Sequence, residues 1–240
     1  MSTSTTNSID DLLSRVTGLG DSGTTTMVAY TKLGLDRTVV VAYPQPDIEM
    51  TYIKLAGEPV GDGGDQYTGL DRFGRVVDNR WMNSSNIDID RFIYTFSRAS
   101  NRLTRQNVVA SSGGFDEQYL YDNLYQVNER LQGTLSGGVI TGTPVEEEDF
   151  TFDPTGNWPG YVIKESGTTT LNQTRDHQLA NEITSISGSG ATVGYDANGN
   201  MTTMPQVDGW STAQTLTWDA WSRPITVVQS STTLGAPRAS

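Results

Sequence analysis

Val193-Gly194-Tyr195-Asp196-Ala197-Asn198-Gly199-Asn200-Met201-Thr202 opens with apolar residues at alternate positions and then breaks into small polar ones. Alternation of this kind places Val193 and Tyr195 on one face of a strand. An aspartate at the next position accepts a backbone N–H two residues on and starts a turn. A glycine three places after it supplies the positive φ that closes a type I turn with a bulge. The stretch predicts a hairpin turn, opened by Asp196 and closed by Gly199.

The same order of residues recurs along the chain. Phe152-Asp153-Pro154-Thr155-Gly156-Asn157 repeats it, and Trp218-Asp219-Ala220-Trp221-Ser222-Arg223 keeps it with Ser222 in the glycine place. Leu70-Asp71-Arg72-Phe73-Gly74-Arg75 and Tyr121-Asp122-Asn123-Leu124-Tyr125-Gln126 are degenerate copies, as are Phe96-Ser97-Arg98-Ala99-Ser100-Asn101 and Asp176-His177-Gln178-Leu179-Ala180-Asn181. With the aspartate place as marker, the seven copies fall at 71, 97, 122, 153, 177, 196 and 219, in steps averaging about 25 residues. That period suits two strands of roughly 7 to 9 residues and two connections. Strand-like alternation leads into several copies, as in Phe92, Tyr94 and Phe96, and β-rich returns such as Ile225-Thr226-Val227-Val228 follow them. Asp71, Gly74, Asp122, Asp153, Gly156, Asp196, Gly199, Asp219 and Ser222 are therefore read as the structural turn set.

Helical spacing is not sustained anywhere, and only Ser8 to Val16 suits a helical turn or two. One such hairpin cannot bury its aromatic face, so neighbours must zip edge to edge into a continuous sheet. The expected fold is all-β: tandem antiparallel hairpins in one open, spiralling sheet. Residues 67–229 are expected to carry the tandem repeats and 1–66 degenerate repeats, including copies near Asp11 and Tyr30. That first span holds an irregular insertion marked by Pro44, Pro46, Pro59 and Gly61-Asp62-Gly63-Gly64-Asp65. Residues 230–240 read as a disordered tail.

Composition removes several function classes. Sixteen Lys and Arg against 28 Asp and Glu give a net charge of −12, which repels a phosphate backbone, so nucleic acid is not an expected partner. The chain has no cysteine, which excludes disulfides, thiolate nucleophiles and zinc–thiolate sites. No apolar run reaches the ~18 residues of a membrane span, and Met1 to Asp11 lacks the basic and apolar regions of a signal peptide.

Tandem Tyr-Asp-x-x-Gly-Asn resembles the YD repeats of bacterial Rhs proteins, toxin-complex shell components and animal teneurins. The resemblance spans roughly residues 67–229 and extends toward Asp11; residues 65–78 and 180–184 are similar to the Rhs variety. It implies a spiralling sheet that forms part of a hollow shell, often around a payload, at the cell surface or outside the cell. Adjoining repeats or a payload domain of a longer polypeptide are the implied partners, with carbohydrate as a further one. No Asp-Pro-rich self-cleavage region or payload domain follows Arg223, so the resemblance does not extend to release by autoproteolysis, and the chain reads as part of a shell.

Candidate chemistry is sparse. His177 is the only histidine, and no Gly-x-Ser-x-Gly elbow accompanies it, so a turn or strand-edge role outweighs catalysis and no catalytic residue is assigned. Asp196-x-Asn198-x-Asn200 and Asp153-x-Thr155-x-Asn157 imitate the opening of a calcium loop. In the first of them, however, glycine stands fourth and not sixth, and Val207 occupies the twelfth place where glutamate is needed. Gly61 to Asp65 reads as a flexible acidic loop and Glu146-Glu147-Glu148-Asp149 as a solvated connector. No metal or cofactor is expected. Of Trp81, Trp158, Trp210, Trp218 and Trp221, the last sits inside a turn and is the candidate for stacking on a ligand.

Overall fold

A computed structural model of the chain describes residues 6–7, 13, 15–20, 25–110, 113–206, 209–229 and 232–235. Among the described residues nineteen strands follow one another: β1 (Thr6–Asn7), β2 (Gly18–Gly20), β3 (Thr26–Leu33), β4 (Arg37–Tyr43), β5 (Ile48–Thr51), β6 (Asp78–Asn83), β7 (Asp88–Phe96), β8 (Arg102–Asn107), β9 (Asp116–Tyr121), β10 (Val127–Ser136), β11 (Val139–Thr151), β12 (Gly160–Glu165), β13 (Thr168–His177), β14 (Ile183–Ile186), β15 (Gly194–Tyr195), β16 (Met201–Pro205), β17 (Ala213–Trp218), β18 (Pro224–Gln229) and β19 (Thr232–Gly235). Among the described residues there is no helix. The helical turn expected at Ser8 to Val16 and the copy at Asp11 lie largely outside the described residues, and Val16 is a β-bridge residue.

Strands β1 to β14 pair strictly in chain order, as do β15 to β19, and neither series closes into a barrel. Sequential antiparallel pairing is what a chain of hairpins dictates, since each strand meets the one before it. Two compact units result. One comprises residues 1–120 and 131–145, the other 121–130 and 146–240.

A single sheet buries little completely. Among the described residues the buried apolar side chains are Val28, Val39, Leu70 and Met82 in the first unit and Pro205 in the second, while most strand positions are half-buried. Stability therefore rests on many partial contacts across neighbouring strands and less on a closed core. Tyr43 stacks on Trp81 at 6.3 Å and Phe92 on Tyr94 at 6.5 Å. Arg105 lies 5.1 Å over the Phe92 ring and Arg102 4.7 Å over Tyr94. Arg80 bridges Glu58 and Asp88, and Arg91 bridges Asp78 and Asp88.

Three sequence expectations change here. Tyr30 to Gly34 is no copy of the turn: Tyr30 to Leu33 lie within β3, and residues 34–36 join Leu33 to its partner Arg37. The acidic run Glu146 to Asp149 is not a connector but part of β11, whose alternation separates its charges. Glu146 and Glu148 meet Arg130, while Glu147 and Asp149 meet Lys164. Thr232–Gly235, within the stretch read as a tail, pairs with β18, and the remaining residues beyond 229 lie outside the described residues.

Candidate functional site

The recurring feature is one backbone turn. In it the opening residue's N–H donates to the carbonyl four places on, and the N–H three places on donates back to the opening carbonyl. At Asp196 these bonds measure 2.9 Å, from Asp196 to Asn200, and 3.1 Å, from Gly199 to Asp196, and Gly199 holds φ +79°. Its Oδ1 accepts the Asn198 and Asn200 amides, each at 2.9 Å, and its Oδ2 accepts the Asn200 side-chain amide at 2.9 Å. Both carboxylate oxygens are thus occupied by the turn itself.

Asp71, Asp122, Asp153 and Asp219 make the same pair of side-chain-to-backbone bonds, at 2.8 to 3.0 Å. Residues three places later take positive φ: Gly74 at 75°, Tyr125 at 64°, Gly156 at 88° and Ser222 at 58°. The backbone pattern also forms where sequence reading did not find it or misplaced it. Asn83 accepts the Ser85 and Ile87 amides at 3.0 and 3.1 Å, with Asn86 at φ +58°. Gly61 opens a turn with no side chain, closed by Gly64 at φ +78°, so the glycine-rich run is an ordered reversal and not a loose acidic loop. The copy placed at His177 is shifted by one. Gln178 opens it, Asn181 closes it at φ +62°, and His177 ends β13 opposite Ile183. The Gln178 side-chain amide donates to the Glu182 carboxylate within this turn.

From β7 onward every connection from an odd-numbered strand to the next even one is a turn of this type. Electrostatics follow from the donors. Asn157 and then Thr155, by hydrogen bonding, hold the Asp153 carboxyl down at about 2. Asn200 lowers Asp196, and the Arg223 amide with its guanidinium lowers Asp219. At Asp71 burial opposes ionisation, yet the Arg75 and Phe73 donors prevail and hold it low. Such carboxylates are weak bases with their lone pairs engaged, ill suited to proton transfer.

The tryptophans divide. Trp81 and Trp158 pack within aromatic groups, and Trp218 Nε1 donates to the Met201 carbonyl at 2.8 Å, tying the turns at 196 and 219 together. Trp221 is 77% exposed at its turn tip, with the Arg223 guanidinium 5.2 Å from the ring centre. A group unmarked by any sequence motif joins Phe150, Phe152, Trp158 and Tyr161, with Arg175 over Trp158 at 4.2 Å. Tyr161 donates to Glu148 at 2.5 Å, and burial with that bond pushes its phenol up to about 12. Glu129, Glu147 and Asp149 bring three carboxylates within 4.8 Å of one another, two of them paired to Lys164.

No protein-family model matches the chain, and no curated protein matches it. A crystal structure of TcdB2–TccC3–Cdc42 aligns at TM-score 0.52 and 12% identity, over 90% of this chain and 12% of that one. The structure of a Photorhabdus luminescens Tc holotoxin pore with a mutant TccC3 aligns with the same values. The fold is Rhs-like. This chain spans 12% of the length of the two matched chains, so the likeness is between a small part of theirs and nearly all of this one.

Proposed function

We propose that this chain is a non-catalytic wall segment of a YD/Rhs-type shell, set beside adjoining repeats or a payload domain of a longer polypeptide, outside the cell or at its surface. One observation carries the reading: one turn recurs with one bonding pattern, and its carboxylates are spent on backbone donors instead of facing a pocket. A function built on repetition resides in surface and curvature more than in a reactive group. The likeness to Tc toxin structures supports the same reading. Electron microscopy of the natural polypeptide that carries this sequence tests it. The sheet is expected to form part of a wall around enclosed density; a sheet standing clear of any enclosed volume would overturn the proposal.

The exposure of Trp221 favours a second reading, carbohydrate binding or adhesion, because a flat accessible ring beside a guanidinium suits sugar stacking. A glycan array probed with the chain and with Trp221→Ala decides it: signal lost in the variant supports binding, and no signal from either removes it. Hydrolysis is the least supported activity, and turnover of peptide or ester substrates abolished by Asp196→Asn would revive it.

A further inference from the structure

We infer that at the turns opened by Asp71, Asp122, Asp153 and Gln178 the residue four places on is a lateral latch, aimed at the positive-φ residue of the next turn that joins an odd-numbered strand to an even one, and that these pairs set the register between neighbouring hairpins. Four pairs follow one rule. Ser97 opens a turn of this type closed by Ser100 at φ +67°, and Arg75 Nη1 donates at 3.2 Å to Ser100 Oγ and at 3.2 Å to the Ser97 carbonyl. Asn157 Nδ2 donates at 3.0 Å to Asn181 Oδ1. At two of the four glycines in this place the neighbour's latch is what a side chain would meet, whereas a Cβ on Gly74 would lie 3.9 Å from Arg37 Nη1 and one on Gly64 would meet nothing within 4 Å. A Cβ on Gly156 would lie 3.6 Å from Gln126 Nε2, and one on Gly199 would lie 3.4 Å from Glu182 Oε1.

The geometry explains why latch and target vary together. In these four pairs the side chain four places on reaches the left-handed residue of the facing turn. Where that residue is Ser100 or Asn181, it supplies an acceptor to a cationic or amide latch; at Gly156 and Gly199, the Gln126 or Glu182 side chain lies beside the place a Cβ would take. Strand ladders alone leave register open to slippage by two residues, which preserves facing. A latch that finds its partner in only one register removes that freedom.

Asn181→Gly separates this role from a local one. Glycine keeps the positive φ and relaxes the backbone of the 178 turn, but deletes the acceptor for Asn157. In the full chain, amide exchange at Gly156 and Asn157, in the preceding turn, is expected to accelerate roughly fivefold, the worth of one net hydrogen bond. Unchanged exchange there, with the 178 turn equally or better protected, would overturn the latch. Ser100→Gly gives the parallel reading at Phe73 and Arg75 in the first unit. In the unmutated chain, nuclear Overhauser contacts between the Asn157 side-chain amide and Asn181 are required, and their absence would overturn it without any variant.

Discussion

Gly199→Val and Tyr125→Gly should move stability in opposite directions, because both positions close the same turn in the same unit. Gly199 sits at φ +79°, where an L-residue costs about 1 to 2 kcal/mol and a β-branched one at least as much. The added Cβ would come no nearer than 3.4 Å to Glu182 Oε1, so the penalty is one of backbone conformation and not of collision. Tyr125 already carries that penalty at φ +64°, with its ring 64% exposed, so glycine there should return about 1 kcal/mol while losing little burial. In a unit of roughly a hundred residues, 1 kcal/mol moves the melting midpoint by about 4 to 8 °C. Thermal unfolding followed by circular dichroism should show Gly199→Val lower by about 4 to 16 °C and Tyr125→Gly higher by about 4 to 8 °C. Equal melting of all three proteins, or destabilisation by Tyr125→Gly, would refute left-handed closure of these turns.

Other consequences are as direct. Asn157→Leu should release the Asp153 carboxyl from about 2 toward its ordinary 3.8, read by carbon-13 titration. Since the folded value is the lower one, the stability it lends is present above pH 3.8 and lost as pH falls through about 2; an unmoved titration would deny that Asn157 is the main donor. Lys164→Gln should raise Glu129, already raised by burial and by Asp149 and Glu147, still further, and no change would show that Lys164 does not offset them. Trp158→Ala should cost about 1 to 3 kcal/mol in denaturant titration, less than a fully buried tryptophan because the ring is 38% exposed. A smaller loss would mean that Arg175 and Tyr161 gain nothing from it.

Much of the architecture was legible because the turn writes itself into the residues that open and close it. An aspartate with a small residue three places on stands at Asp71, Asp153, Asp196 and Asp219, where the chain reverses, while at Asp122 the aspartate alone marks the reversal and Tyr125 takes the small residue's place. The reading failed where another residue does the same work. Asn83 offers the same acceptor through its amide, and Gly61 needs no acceptor because the two backbone bonds suffice. At Gln178 the side chain reaches Glu182, so an aspartate-based reading fell one residue early. Long-range features left no local mark. The Phe150, Trp158 and Tyr161 group depends on the pairing of β11 with β12, and the acidic run at Glu146 shows its balance only when Arg130 and Lys164 are placed beside it. The division into units runs through β10 and β11, where no linker composition announces it.

Backbone nuclear magnetic resonance of the intact chain tests the central claim most directly, by measuring φ at Tyr125, Gly156, Gly199 and Ser222 together with cross-strand contacts. Positive φ at all four is expected, with antiparallel contacts joining Thr95 to Thr104 and Thr217 to Thr226. Extended backbone at those residues, or contacts characteristic of parallel strands, would contradict it.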